Sequence, residues 1–140
     1  MRPSELKLLT ESLEAKGYSI NKGKTDGKVF YEAIYSAPTI PDLHTVLYFE
    51  ARDHQTIYGL IIQQQGYVEG AQSEIDDYTR KLNNKIIGRH DLVNLEREQT
   101  VDELWNIVKA FYEKQIAQET KHMKLAEIVV SHLKEIQDKQ

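Results

Sequence analysis

Residues 100–140 read TVDELWNIVKAFYEKQIAQETKHMKLAEIVVSHLKEIQDKQ, and this stretch organises the rest of the chain. Thr100 and Glu103 form a T-x-x-E capping box immediately before an apolar-periodic run. Neither proline nor glycine occurs from there to Gln140. If unbroken, the segment is a helix of about 38 residues and about 57 Å. A compact domain of this size has a radius of gyration of about 14 Å. Such a helix must project, break or meet a partner. Its apolar residues fall in two patches. Leu104, Trp105, Ile107, Val108, Phe111 and Tyr112 form the first, which is expected to cover the sheet. Leu125, Ala126, Ile128, Val129, Val130, Leu133 and Ile136 form the second, beyond a mostly polar stretch with Ile116 isolated in it. The second patch either turns back onto the same core near Gln118, Glu119 and Thr120 or packs on another chain. Residues 113–140 are thus a candidate projecting, partner-binding extension, with Leu125, Val129, Leu133 and Ile136 as its contact stripe.

Upstream, Ala71, Ile75, Tyr78, Leu82 and Ile86 share one helical face, which predicts a helix over 73–87 with Ser73 and Asp76 at its start and Gly88 as its stop. A short strand is expected over 92–96. Residues 21–27 carry turn chemistry, with Asp26-Gly27 as a hairpin or loop signal. Three strands are predicted over 29–36, 43–51 and 55–63, with Pro38 and Pro41 forcing a loop and Arg52-Asp53-His54 a polar turn. The segment 55–63 is apolar on both faces and is therefore placed at the centre of the sheet. At the N-terminus Leu6, Leu9 and Leu13 mark a helix over 3–16, with Ser4 as N-cap and Gly17 in the left-handed position after its end. Tyr18 is expected to fold back on the leucine stripe. The fold class is α+β: a three- to four-stranded antiparallel meander, helices packed on one face, and a long C-terminal helix.

The totals agree with a single domain over residues 1–140. The chain is 40% apolar and 29% charged, has a formal net charge of −4, and contains no cysteine. The acidity argues against a nucleic-acid partner, and the missing thiols exclude disulfides, thiolate catalysis and cysteine-held zinc or iron–sulfur clusters. No apolar stretch approaches the roughly 20 residues that span a bilayer, and acidic residues follow Met1 too soon for a signal peptide. No membrane association and a cytoplasmic location are expected. No repeat or low-complexity tract is present.

The motifs that could carry chemistry each lack a necessary part. Gly23-Lys24-Thr25 has the tail of a phosphate-binding loop, but Tyr18 stands where its first glycine is needed. Asp42 and Glu50 would lie at opposite ends of one strand, about 25 Å apart, too far to share a metal. The five histidines, His44, His54, His90, His122 and His132, show no i, i+4 pair with an intervening glutamate. His90 beside Asp91, and His44 near His54, read as turn or surface histidines. No serine sits in a nucleophile elbow. Glu32 and Glu50 are candidates to face each other across strands, where a solvated pair is the ordinary outcome. No catalytic, cofactor-binding or metal residue is therefore expected. Tyrosine is the unusual component: eight residues, against three phenylalanines and one tryptophan. Those of the predicted sheet, including Tyr48 and Tyr58, suit a half-exposed binding face.

The order helix, three strands, helix, strand, long helix resembles small secretion-chaperone domains of the type III class. Those are acidic intracellular dimers, and they usually carry a second strand before the last helix, which this chain lacks. A non-enzymatic, partner-masking module is expected from the lack of a catalytic constellation, the acidic balance, the tyrosines and the surplus helix. Three expectations stand together: a protein-binding or adaptor module of chaperone or immunity type; a small enzyme or ligand-binding domain built on Tyr48, Glu50, Glu32 and His44; and a structural homodimer associating through its C-terminal helices.

Overall fold

The computed structural model describes residues 1–51, 55–89, 92 and 100–140. Among them the element order is α1 (Pro3–Ala15), β1 (Ser19–Thr25), β2 (Lys28–Tyr35), β3 (Thr45–Glu50), α2 (Ile57–Asn83) and α3 (Val101–Gln137). The class is α+β, with an antiparallel meander in the order β1-β2-β3 and a long C-terminal helix. The chain forms two compact units. One comprises Met1–Val68 with Met123–Gln140, the other Glu69–His122, so their boundaries fall inside α2 and α3.

α1 begins with Pro3 in its first turn and Arg2 at the N-cap, without a side-chain capping bond. Ser4 is therefore inside the helix rather than its cap. Proline is favoured there because its missing N–H lies where no helical acceptor exists. At the other end Gly17 has φ +96°, the Gly17 amide donates to Glu14 and the Tyr18 amide to Leu13. This is the paired bonding of a Schellman ending, and it turns Tyr18 inward, where it is 4% exposed.

Two strands of the meander, β2 and β3, fall on the predicted 29–36 and 43–51, but the third is not 55–63. Residues 19–25 form an edge strand instead of a loop. Asp26 and Gly27, both with positive φ, make the two-residue hairpin turn that joins Thr25 to Lys28. β2 is central, and its pairing with β3 sets Glu32 opposite Tyr48 and Phe30 opposite Glu50. The predicted strand 55–63 is instead the start of α2. Its buried residues are Ile57, Leu60, Ile61 and Gln64, at i, i+3, i+4 and i+7, whereas Tyr58 and Ile62 are exposed. A short apolar run carries either period. Here the helix prevails because its first turn is capped: the Thr56 hydroxyl accepts from Gly59 at 3.0 Å and the Glu5 carboxylate from Ile57 at 3.1 Å. α2 ends at Asn83 rather than at Gly88. Lys85 takes positive φ, and the Ile86 amide reaches back to Lys81. The predicted turn 52–54 and, apart from Leu92, the predicted strand 92–96 lie outside the described residues, as do His54, His90 and Asp91.

α3 is unbroken for 37 residues, with the Thr100 hydroxyl accepting from the Glu103 amide at 3.1 Å. The second apolar patch takes the core alternative, without a turn near residues 118–120, whereas the first is not part of the core under the sheet. Val129, Val130, Leu133 and Ile136 join Leu9 and Leu13 of α1, Ala33, Leu47 and Phe49 of the sheet, and Ile57, Leu60 and Ile61 of α2 in the main core of the first unit. Leu104, Val108 and Tyr112 instead form the core of the second unit with Tyr78, Leu82, Ile87 and Trp105. In that unit the Tyr112 hydroxyl donates to the Ile86 carbonyl at 2.8 Å, and Asp77 pairs with Arg80 and Lys81.

Candidate functional site

The expected contact stripe on the C-terminal helix is interior. Leu125 is 2% exposed, and Val129, Leu133 and Ile136 are fully buried. Leu125 packs under the loop between β2 and β3 with Ala37 and Ile40, and the other three belong to the main core. Their burial within this chain leaves them no surface for a partner. The other two expected contact residues are on the outside: Tyr48 is 46% and Tyr58 61% exposed.

Tyr48 lies on the face of the sheet opposite the core. Strand alternation and register place Phe30, Glu32 and Ile34 of β2 beside Val46, Tyr48 and Glu50 of β3 on that face. Val46 and Tyr48 are half-exposed, and the Phe30 and Tyr48 rings stack with centroids 5.6 Å apart. Phe30 also lies over Gly23, where a Cβ would fall 2.3 Å from its ring. The amides of 23–25 run in the β1–β2 pair, so this segment is strand and not a phosphate-wrapping loop. The Tyr48 hydroxyl donates to Glu50 at 3.4 Å. Both residues line a pocket of about 350 Å³ completed by Gln55, Thr56, Gly59, Leu60 and Gln63. The structure thus brings Tyr48 and Glu50 to one pocket, with Glu32 opposite Tyr48 in the sheet. His44 is exposed in the preceding loop and does not line this pocket. Glu32 and Glu50 share the outer face, but they are not paired across the strands.

A second polar cluster escaped the sequence reading. His132, on the C-terminal part of α3, meets Tyr18 and Tyr35. Tyr18 Oη lies 2.9 Å from His132 Nδ1, and the imidazole stands edge-on to both tyrosine rings, at 5.6 and 5.2 Å. The two tyrosines stack on each other at 4.5 Å. Burial, and then the neighbouring Tyr35, push the Tyr18 phenol well above its ordinary range, so it stays protonated. Burial, assisted by the Lys16 cation, holds the His132 imidazole below its usual value against the opposing pull of Glu135. Lys16 and Glu135 form an ion pair that keeps the Glu135 carboxyl low. His132 also lines a groove of about 600 Å³ between the 36–44 loop and α3. The partners are 114 residues apart in sequence, and only the inward turn at Gly17 hinted at one of them.

The chain matches no protein-family model, no curated protein and no solved structure. Chemistry therefore has to be read from the side chains alone. Among the described residues no group of three histidine, aspartate or glutamate side chains is placed to hold a metal, and no helix is long and apolar enough to cross a membrane. The Tyr48–Glu50 pocket sets a phenol beside a carboxylate, and the His132 cluster sets a phenol beside an imidazole. Both combine aromatic surface with hydrogen-bonding groups.

Proposed function

We propose that the protein is a non-catalytic, cytoplasmic binding module that docks a protein partner on the open face of its sheet. The observation that carries this reading is the row of apolar side chains on the solvent side: Val46 and Tyr48 are each about half-exposed, beside Phe30 and Ile34. An outward strand face ordinarily alternates to polar residues, and aromatic side chains with a wet tip are enriched where partners dock. Glu32 and Glu50 are interspersed with them, and the chain is acidic overall. The partner that fits is a segment with apolar side chains flanked by lysine or arginine.

The test places a photo-crosslinking amino acid at position 48 in the native cell, with position 11 of α1 as the control. Crosslinks to one protein at position 48, absent at position 11 and lost in the Val46→Asp variant, are expected. Equal crosslinking at both positions would sink the proposal. Light scattering of the purified chain separates the homodimer reading: a dimer abolished by Val46→Asp would make the partner a second copy. Self-association through Leu125, Val129, Leu133 and Ile136 is not part of this reading, because those side chains are already used in the core.

A further inference from the structure

The groove beside His132 is separate from the open sheet face. Its floor is apolar, formed by Ile40 and Ile128, and its rim carries the hydroxyls of Thr39 and Ser131 and the ammonium of Lys124. His132 forms part of its wall. The Tyr18 hydroxyl has no other hydrogen-bond partner among the described residues, which favours the tautomer in which it donates to Nδ1. A neutral imidazole whose Nδ1 accepts carries its hydrogen on Nε2. Contacts with Tyr18 and Tyr35 hold the ring in place, which makes the Nε2–H a preorganised donor. Of the two carboxylates on the groove, Glu135 is held by Lys16, while Glu127 stands one helical turn from Lys124.

We propose that this groove binds a small organic monocarboxylate, a single carboxylate on an apolar frame. The apolar frame covers Ile40 and Ile128. The carboxylate accepts from Lys124, from a rim hydroxyl and from the His132 Nε2–H. Glu127 selects against multiply charged anions by like-charge repulsion. Occupancy places a negative charge among the groups that face His132, namely Tyr18, Tyr35, Lys16 and Glu135, and therefore favours protonated imidazole. Bound ligand and proton reinforce each other.

The experiment titrates the full chain with benzoate, benzamide and inorganic phosphate, followed by proton–nitrogen NMR including the imidazole nitrogens. Benzoate should shift the Thr39, Ile128 and Ser131 amides saturably and raise the titration midpoint of His132. Benzamide and phosphate should not. Lys124→Gln, a change at an exposed side chain, should weaken benzoate roughly tenfold or more while leaving the rest of the spectrum in place. The proposal is overturned if benzoate gives no saturable shift at these residues. Equal binding of phosphate, benzoate binding indifferent to Lys124→Gln, or an imidazole carrying its hydrogen on Nδ1 would each overturn it as well.

Discussion

At Gly66 and Gly70 of α2 an added Cβ would meet nothing within 4 Å among the described residues beyond the helix itself, and neither backbone has positive φ. Glycine in a helix interior costs about 0.8–1 kcal/mol relative to alanine. Gly66→Ala and Gly70→Ala should each stabilise the protein by about 0.4–1 kcal/mol, read as a higher urea midpoint with unchanged slope. Gly27 also has open space around it, but its φ is +77°. There alanine would strain the hairpin turn, and Gly27→Ala should destabilise the protein by about 1 kcal/mol, read as a lower urea midpoint. His132 titrates below its usual value of about 6.5 because burial penalises the imidazolium. The unfolded chain then binds the proton first. Stability is complete above about pH 6.5 and falls as the pH drops from there toward the folded-state midpoint. A pH series of urea melts should show this loss in the wild type and lose that contribution in His132→Asn.

At the scale of elements, some caps and turns were plain in the sequence, whereas Ser4, Ser73 and Gly88 were not the helix ends they resembled and the period of short segments was ambiguous. Gly17, Asp26-Gly27 and Thr100 each act through local backbone geometry, so a few adjacent letters sufficed to read them. Residues 55–63 could not be read that way. Two apolar faces suit a buried strand, and what makes the segment helical is Glu5, 52 residues earlier, together with a core that buries only every third or fourth side chain. Gly59, Gly66 and Gly70 further disguised α2, since glycine disfavours helices. Residues 21–25, part of the stretch 21–27 read as turn, looked like loop because their polar letters belong to an edge strand held by its neighbour β2. The His132 cluster was invisible because its members are brought together only by packing of α3 on the N-terminal elements. Two predictions belong here. Thr100→Ala removes the capping bond of α3 and should cost about 1 kcal/mol, measured by chemical denaturation. Leu133→Ala opens a fully buried site and should cost about 2–5 kcal/mol. A surface stripe would instead lose association while keeping its stability.

On the scale of the whole molecule, one helix supplies side chains to two cores with no buried residue in common. Val108→Ala and Leu133→Ala should therefore lower hydrogen-exchange protection in different places, around Tyr78 and Leu82 for the first and around Phe49 and Leu9 for the second. A change at Val108 that deprotected Phe49 as strongly as Leu133→Ala would contradict this separation. The same arrangement imposes an order on synthesis. The Asp26-Gly27 hairpin can pair soon after it leaves the ribosome, yet the apolar side of the sheet receives Val129, Leu133 and Ile136 only after the chain has grown at least 80 residues beyond Phe49. At about 5–20 residues per second, Ala33, Leu47 and Phe49 wait several seconds with their final cover missing. During that interval the nascent chain, rather than the finished protein, is the form most exposed to aggregation.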